Sequence, residues 1–207
     1  EDILNIAEEV AREAGKIAMQ HYGKADPQLK YDMSLVTQAD LEVQAFLEQK
    51  IAANYPHHKF FGEENAVVPG NADHLWVVDP VDGTAAFSAQ LPIWGISISH
   101  FYEGKLQFGV FYKLIRARLD DAVDNESVLL TYSRFHQDFT SDFPGKIRSL
   151  GSSVAHIAYV ARGAAWGALL GRVHIWDIAP GLAILQAAGG EIRDLQGRLF
   201  NPEDYMD

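Results

Sequence analysis

The sequence predicts a layered α/β protein, and three observations carry that expectation. Apolar residues recur at helical spacing near the N-terminus, short apolar runs of strand length take over from about residue 59, and helical and strand-like segments then interleave to the end. With 207 residues, 48% of them hydrophobic, the chain can bury one substantial core. A single domain over residues 1–207 is therefore expected, with two lobes at about 1–125 and about 126–207.

The elements follow in order. Ile3, Ile6, Val10, Ala14, Ile17 and His21 share one helical face, and Gly23 ends the run. Lys30-Tyr31-Asp32-Met33-Ser34 is polar and too irregular to assign. Thr37-Gln38-Ala39-Asp40 reads as a capping box opening a second helix, with Leu41, Phe46, Leu47 and Ile51 as its buried stripe and Tyr55-Pro56 as its close. Lys59-Phe60-Phe61 is a strand leading into Gly62-Glu63-Glu64, and Leu75-Trp76-Val77-Val78 leads into Asp79. Residues 94–102 and 106–112 flank Glu103-Gly104-Lys105 as a β-hairpin, and 128–132 and 147–150 are further strands. Gly151-Ser152-Ser153 precedes an Ala-rich helix expected to reach about Leu170. Val173-His174-Ile175 reads as a short strand before Trp176-Asp177, then 179–188 as a helix, and Glu191-Ile192-Arg193 as a strand after the Gly189-Gly190 break. No internal repeat, low-complexity tract or long linker interrupts the pattern.

Composition removes several function classes. Lys and Arg number 17 against 28 Asp and Glu, a formal charge of −11, so no clustered basic footprint for nucleic acid is expected. A net negative protein binds an anionic ester only where cations or helix N-termini offset its carboxylates. The chain has no Cys, which excludes disulfides, thiolate zinc sites and cysteine nucleophiles and fits a reducing cytoplasm. No apolar run approaches the ~18 residues of a spanning helix, and Glu1-Asp2 does not open a basic-then-apolar leader. A cytoplasmic protein without membrane contact is the expectation.

Asp79-Pro80-Val81-Asp82-Gly83-Thr84 is the centre of the chemistry. An apolar strand delivers Asp79 to its end, where Pro80 forbids further regular pairing. Two carboxylates three residues apart on a tight turn can face one pocket, Gly83 lets backbone approach a ligand, and Thr84 can start a helix. The helix amides favour an anion and the carboxylates repel it, a conflict that a carboxylate–Mg²⁺–phosphate arrangement resolves. Taken alone, the motif reads equally well as a surface turn. Glu63 and Asp177 shift the balance, since each also places a carboxylate where a strand is expected to end, the usual location of sites in α/β sheets. Asp40 is also explained by position N3 of its capping box, and cap and catalysis are compatible. Lys30 reads either as a solvated charge or as a residue ordering a loop over the site. His57, His58, His136 and His174 show no ligand spacing and read as surface or filler.

In motif order the chain resembles the inositol monophosphatase family of lithium-sensitive, metal-dependent phosphatases. The resemblance rests on Gly62-Glu63-Glu64, on Asp79-Pro80-Val81-Asp82-Gly83-Thr84, and on Trp176-Asp177-Ile178-Ala179-Pro180-Gly181 ending in Ala188-Gly189-Gly190. Lys30, Asp32, Ser34, Val36, Thr37, Ala39 and Asp40 are similar to the family's N-terminal motif. The resemblance implies an α-β-α-β-α sandwich, a homodimer, and two or three Mg²⁺ ions, with Mn²⁺ as an alternative. It further implies that Glu63, Asp79 and the Val81 carbonyl hold a first ion, and that Asp79, Asp82 and Asp177 hold a second. Glu63 would assist a third through water, and Asp40 with Thr84 would orient and deprotonate the attacking water. Asp82, Gly83, Thr84, Gly151, Ser153 and Asp177 would meet a small phosphorylated substrate, the amides of Gly83 and Thr84 holding phosphate oxygens. The physical logic agrees, because phosphoryl transfer needs positioning and charge neutralisation more than covalent chemistry. Histidinol phosphate, 3′-phosphorylated nucleotides and fructose bisphosphate are the rival substrates. A regulatory binding protein retaining the fold is the rival from another class.

Two departures from the family pattern stand out. Seven positions before Asp177, where inositol-hydrolysing members carry an acidic residue, this chain has Leu170, so a pocket wall poor in hydroxyl acceptors is expected. After Gly109-Val110-Phe111-Tyr112 the family continues into further β-structure, whereas here Lys113-Leu114-Ile115-Arg116 leads soon to Glu126-Ser127-Val128. The sequence also stops at Met206-Asp207, before a final strand and helix that the family would add.

Overall fold

In a computed structural model, residues 2–31, 34–64, 72–91, 93–112, 126–171 and 173–202 are described. Asp2 caps the first helix by accepting from the Leu4 amide at 3.1 Å, and α1 (Ile3–His21) runs from it to a turn at Gly23. Its buried face is built largely of Ala7, Ala11, Ala14 and Ala18, small residues that let neighbouring elements approach closely. A minimal antiparallel pair, β1 (Gln28–Leu29) and β2 (Leu35–Val36), leads to α2 (Gln38–Asn54).

The main sheet has the order β3 (Lys59–Gly62), β4 (His74–Asp82), β5 (Gly95–Tyr102), β6 (Lys105–Tyr112). β3 runs parallel to β4 and the remaining pairs are antiparallel. The one-turn helix α3 (Thr84–Ser88) joins β4 to β5. Period-two alternation along β4 decides which layer each side chain meets. Trp76 and Val78 join Ile96 and Ile98 in a core under α1 and α2, while Leu75 and Val77 join Phe101 against Ile175 and Ala179 of α6 (Ile175–Ala187). A Cβ on Gly109 would lie 2.3 Å from the Pro180 carbonyl oxygen, so α6 seats directly on the backbone of β6. Leu47 of α2 is fully buried, and truncating it to Ala would cost about 2–5 kcal/mol.

From residue 126 onward, β7 (Val128–Thr131), the single turn α4 (Phe135–Asp138), β8 (Lys146–Arg148), α5 (Ser153–Ala161) and β9 (Gly167–Leu169) lead to α6. The three strands form an all-parallel sheet of order β8-β7-β9. The layers are thus α1/α2, the main sheet, α5/α6 and the small sheet, the layered α/β arrangement expected. Among the described residues no helix is long and apolar enough to cross a membrane.

Several local expectations change. The assigned strand β4 continues past Asp79 to Asp82, its pairing with β5 slipping between those two residues, so Pro80 interrupts the ladder without ending the strand. Val173-His174-Ile175 is not a strand: His174 is the N-cap of α6, which begins four residues before the expected 179. The Ala-rich helix stops at Ala161, where Gly163 turns the chain toward β9. Arg193 makes only an isolated bridge to Leu199. Leu41 is exposed, and Ala39, Val43, Leu47 and Ile51 form the stripe of α2. Asp32, the segment from Lys113 to Arg116, and Met206-Asp207 lie outside the described residues.

Candidate active site

Oxygen atoms of Asp79, Asp82 and Asp177 all lie within 4.8 Å of one another. β4 supplies the first two from its C-terminal end, and Asp177 comes from the first turn of α6, with its other role as acceptor of the His174 amide at 2.6 Å. Asp79 turns one oxygen to the Val81 amide at 3.0 Å. Asp82 accepts from the hydroxyl of Ser152, the N-cap of α5.

The site's floor is where helices begin. Asp40 lies in the first turn of α2, Gly83 and Thr84 open α3, Ser152 and Ser153 open α5, and Asp177 lies at the start of α6. N-terminal amides carry partial positive charge, which favours the carboxylates held there. Gly83 is required at the turn because φ is +95° and a Cβ would lie 2.9 Å from the Ile93 carbonyl oxygen. Gly151 also has positive φ, +78°, immediately before α5.

Burial nevertheless dominates the carboxylates. Asp79 is pushed well above the usual carboxylate range by desolvation and by the nearby charges of Glu63, Asp82, Asp177 and Asp40. Burial raises Asp82 to about 7 against the opposing hydrogen bond from Ser152, and raises Asp177 to about 6. Among the described residues no salt bridge reaches Asp79, Asp82 or Asp177. Three clustered carboxylates, two of them buried and one partly buried, without a salt-bridge partner suit a hard divalent cation.

Glu63 follows β3 and stands close enough to raise Asp79, but its carboxylate is held by Lys30 at 2.8 Å, as is that of Glu64. Burial would pull the Lys30 ammonium down, and the two carboxylates more than reverse it. Asp40, fully buried, accepts from the Thr37 amide at 2.8 Å and from the Thr84 hydroxyl at 3.0 Å. Thr84 Oγ1 also lies 3.1 Å from the Val81 carbonyl oxygen. Asp40, Glu63, Asp79, Val81, Asp82, Thr84 and Asp177 are thus gathered at one end of the main sheet, with Gly83, Gly151 and Ser153 at the adjoining turns.

Sequence reasoning did not single out Ser152, whose hydroxyl fixes Asp82 and also accepts from the Ala155 amide at 3.0 Å. A Ser one residue before an Ala-rich helix signals a cap, but nothing in sequence signals the long-range partner. Leu170 packs with Ile157, Ile178, Leu182 and Leu185 and lines a cavity of about 550 Å³ whose walls mix apolar residues with Glu191, Arg193 and Asp194; none of the clustered carboxylates lines it.

The chain is similar to known proteins over nearly its whole length. The chain is 29% identical to the fructose-1,6-bisphosphatase/inositol-1-monophosphatase of Thermotoga maritima, over 97% of this chain and 88% of that protein. It is 31% identical to the Nus factor SuhB of Pasteurella multocida, over 94% and 86%. The solved structure of a Thermotoga maritima IMPase superposes with a TM-score of 0.86 at 28% identity, covering 98% of this chain and 89% of that one. The first alignment spans 227 positions, more than the 207 residues present, so that relative carries residues this chain lacks.

Fold, carboxylate cluster and relatives together define a phosphoric monoester hydrolase of a metal-dependent class. The chain belongs to the inositol monophosphatase family, whose model matches residues 1–137 and 121–207.

Proposed function

We propose that this protein hydrolyses a small phosphorylated polyol or sugar by in-line attack of water, using Mg²⁺ held by Asp79, Asp82, Asp177, Glu63 and the Val81 carbonyl. The observation that carries the reading is the convergence of three carboxylates, Asp79 and Asp82 buried and Asp177 partly so, with no salt-bridge partner among the described residues. Bound Mg²⁺ supplies charge neutralisation for the phosphate and lowers the pKa of water. The chain's own groups do the rest. The Thr84 hydroxyl, hydrogen-bonded to Asp40, orients the water and relays its proton to that carboxylate. The amides of Gly83 and Thr84, at the start of α3, receive the phosphate oxygens. Ser152 keeps Asp82 turned toward the cluster. As the water oxygen bonds to phosphorus, the ester P–O bond breaks and the leaving alkoxide takes a proton from solvent water to depart as the alcohol.

A sugar or polyol phosphate is favoured by the relative named fructose-1,6-bisphosphatase/inositol-1-monophosphatase. The relative named a Nus factor favours a second reading, a regulatory binding protein, which does not need the Asp40–Thr84 contact. A panel of phosphate monoesters, including inositol monophosphate, fructose 1,6-bisphosphate and histidinol phosphate, separates the two. Phosphate release that requires Mg²⁺, stops with chelator and is inhibited by Li⁺ supports the hydrolase. Absence of release from every ester with Mg²⁺ or Mn²⁺ present supports the binding protein.

A further inference from the structure

Three histidines gather at the end of the main sheet remote from the carboxylates. His74 opens β4, His100 lies on β5 opposite Trp76, and His58 sits in the turn between α2 and β3. The rise from His74 to Asp79 along an extended strand is about 16 Å, so one strand carries a cluster at each end. Each of the three rings offers a nitrogen within 4.8 Å of the other two.

The spacing of two of them, a hydrogen-bond contact between the metal-free rings, also suits a shared ion. His74 Nδ1 and His100 Nε2 are 3.2 Å apart. Two nitrogens at about 2.0–2.1 Å from one tetrahedral Zn²⁺ stand about 3.3–3.4 Å from each other. The rings are also in the right protonation state. Burial pushes His100 down to about 4 and lowers His58 as well, and neutral imidazole is the ligand form. An open cavity of about 430 Å³, lined by Ile3, His74, His100, Tyr102 and Gln107, gives a route from solvent. Its rim is electronegative, since the Glu103 and Asp73 carboxylates both act on the Tyr102 hydroxyl.

His58 needs one adjustment. Its ring lies parallel to that of His74 at 4.1 Å, and its Nδ1 accepts from the Trp76 indole at 3.0 Å. Rings lying face to face at that distance cannot both aim in-plane lone pairs at one ion, so His58 must turn and release Trp76. His74 and His100, with planes 24° apart and centroids at 5.3 Å, already bring a nitrogen each to 3.2 Å. It lies outside β3 and half-buried, where such a turn leaves the sheet intact. His100 Nδ1 is buried and has no hydrogen-bond partner among the described residues. The outer support that strengthens metal-bound histidines is therefore missing there, which weakens the site by about 10- to 100-fold relative to a fully buttressed one.

We propose that His74 and His100, joined by His58, bind one divalent cation of the imidazole-preferring class, Zn²⁺, Ni²⁺ or Cu²⁺, at a structural site separate from the carboxylate cluster. The ion ties the turn before β3 to β4 and β5. Imidazole donors select these ions over Mg²⁺, so the two ends of β4 take different metals.

Co²⁺ titrated into the whole chain, with Mg²⁺ in large excess to fill the oxygen site, is the test. One equivalent of the intense visible absorption of a four-coordinate ion is expected, displaced by Zn²⁺. His74→Gln and His58→Gln should each abolish it, and Asp82→Asn should leave it in place. Zn²⁺ should raise the melting temperature of the wild-type protein and leave that of His58→Gln unchanged. Circular dichroism checks that each variant folds, and His58→Gln, outside the strands, keeps the test valid if His74→Gln does not. Only weak six-coordinate absorption in the wild type, or an undiminished band in folded His58→Gln, would overturn the assignment.

Discussion

Asp40 and Thr84, 44 residues apart in the chain, are joined by a 3.0 Å hydrogen bond from the Thr84 hydroxyl. The second oxygen of Asp40 accepts from the Thr37 amide at 2.8 Å and the Thr37 hydroxyl at 2.5 Å. One carboxylate therefore closes the cap of α2 and reaches the first residue of α3. The two readings that sequence left open for Asp40, cap and catalyst, have separate oxygen atoms.

That division separates the variants. Thr84→Ala removes the hydroxyl and leaves the α2 cap intact, so turnover should fall by about 10²–10⁴ with little change in melting temperature. Thr84→Ser should recover most of the activity. Asp40→Asn should lose activity and about 1 kcal/mol of stability together, because the amide cannot accept from Thr37 as a carboxylate does. Wild-type turnover in a folded Thr84→Ala enzyme would exclude the relay.

Asp82 gives a trade of function against metal-free stability. Its carboxylate is buried, with Asp177 and Glu63 adding repulsion and Ser152 as a compensating donor. Asp82→Asn keeps the shape and one acceptor oxygen while removing charge. Activity should fall by orders of magnitude, while the melting temperature in chelator stays the same or rises, within about 1–2 kcal/mol of wild type. A large loss of stability without metal would show that Asp82 is chiefly structural.

The physical reach of sequence explains which of these features were legible in it. The capping box at Thr37 and Asp40, the hairpin at Glu103-Gly104, and the tight turn at Gly83 are local, and local chemistry is written in consecutive residues. The carboxylates were legible because their motifs are dense and ordered. Trp176-Asp177 looked like a strand end because Val173, Ile175 and Trp176 are apolar and bulky, yet tertiary packing of Ile175 under the sheet turns the segment into a helix start. Ser152 on Asp82, Lys30 on Glu63, and the stacking of His58 with His74 join residues far apart in the chain, and no spacing rule exposes them. His58, read as filler, lies in the histidine cluster for that reason.

Protons and metal compete for the same carboxylates. Burial raises the metal-free Asp82 to about 7 and Asp177 to about 6, above the ordinary value of 3.8. Between those limits the folded, metal-free protein holds more protons than the unfolded chain, so these two groups contribute stability at low pH that is lost as pH rises through about 6–7. His100 and His156, both pushed by burial to about 4, act oppositely and lose stability as pH falls below about 6.5. The difference in melting temperature with and without Mg²⁺ isolates the carboxylates. It should grow from about pH 6 to pH 8, and the half-saturating Mg²⁺ concentration should fall by about tenfold per unit for each proton displaced. A Mg²⁺ requirement independent of pH across that range would contradict the proton-loaded site.

Lys30 is the last group whose removal has a definite sign. Its ammonium sits 2.8 Å from oxygens of Glu63 and Glu64, where it stands in for a cation on the rim of the carboxylate cluster. Lys30→Gln removes that charge and frees Glu63 as an acceptor, which favours added Mg²⁺. The pair is partly solvated, with Lys30 21% and Glu63 19% exposed, so the gain is screened to roughly tenfold, about 1.4 kcal/mol. Half-saturating Mg²⁺ should therefore fall by that factor. Turnover at saturating Mg²⁺ should fall too, because the Lys30 side chain also ties the β1–β2 turn, where its backbone amide donates to the Ser34 carbonyl at 2.8 Å, to Glu63 and Glu64 after β3. The Mg²⁺ dependence of initial rates in the two proteins decides the matter. A higher Mg²⁺ requirement in Lys30→Gln would mean that the lysine organises Glu63 for the ion rather than competing with it.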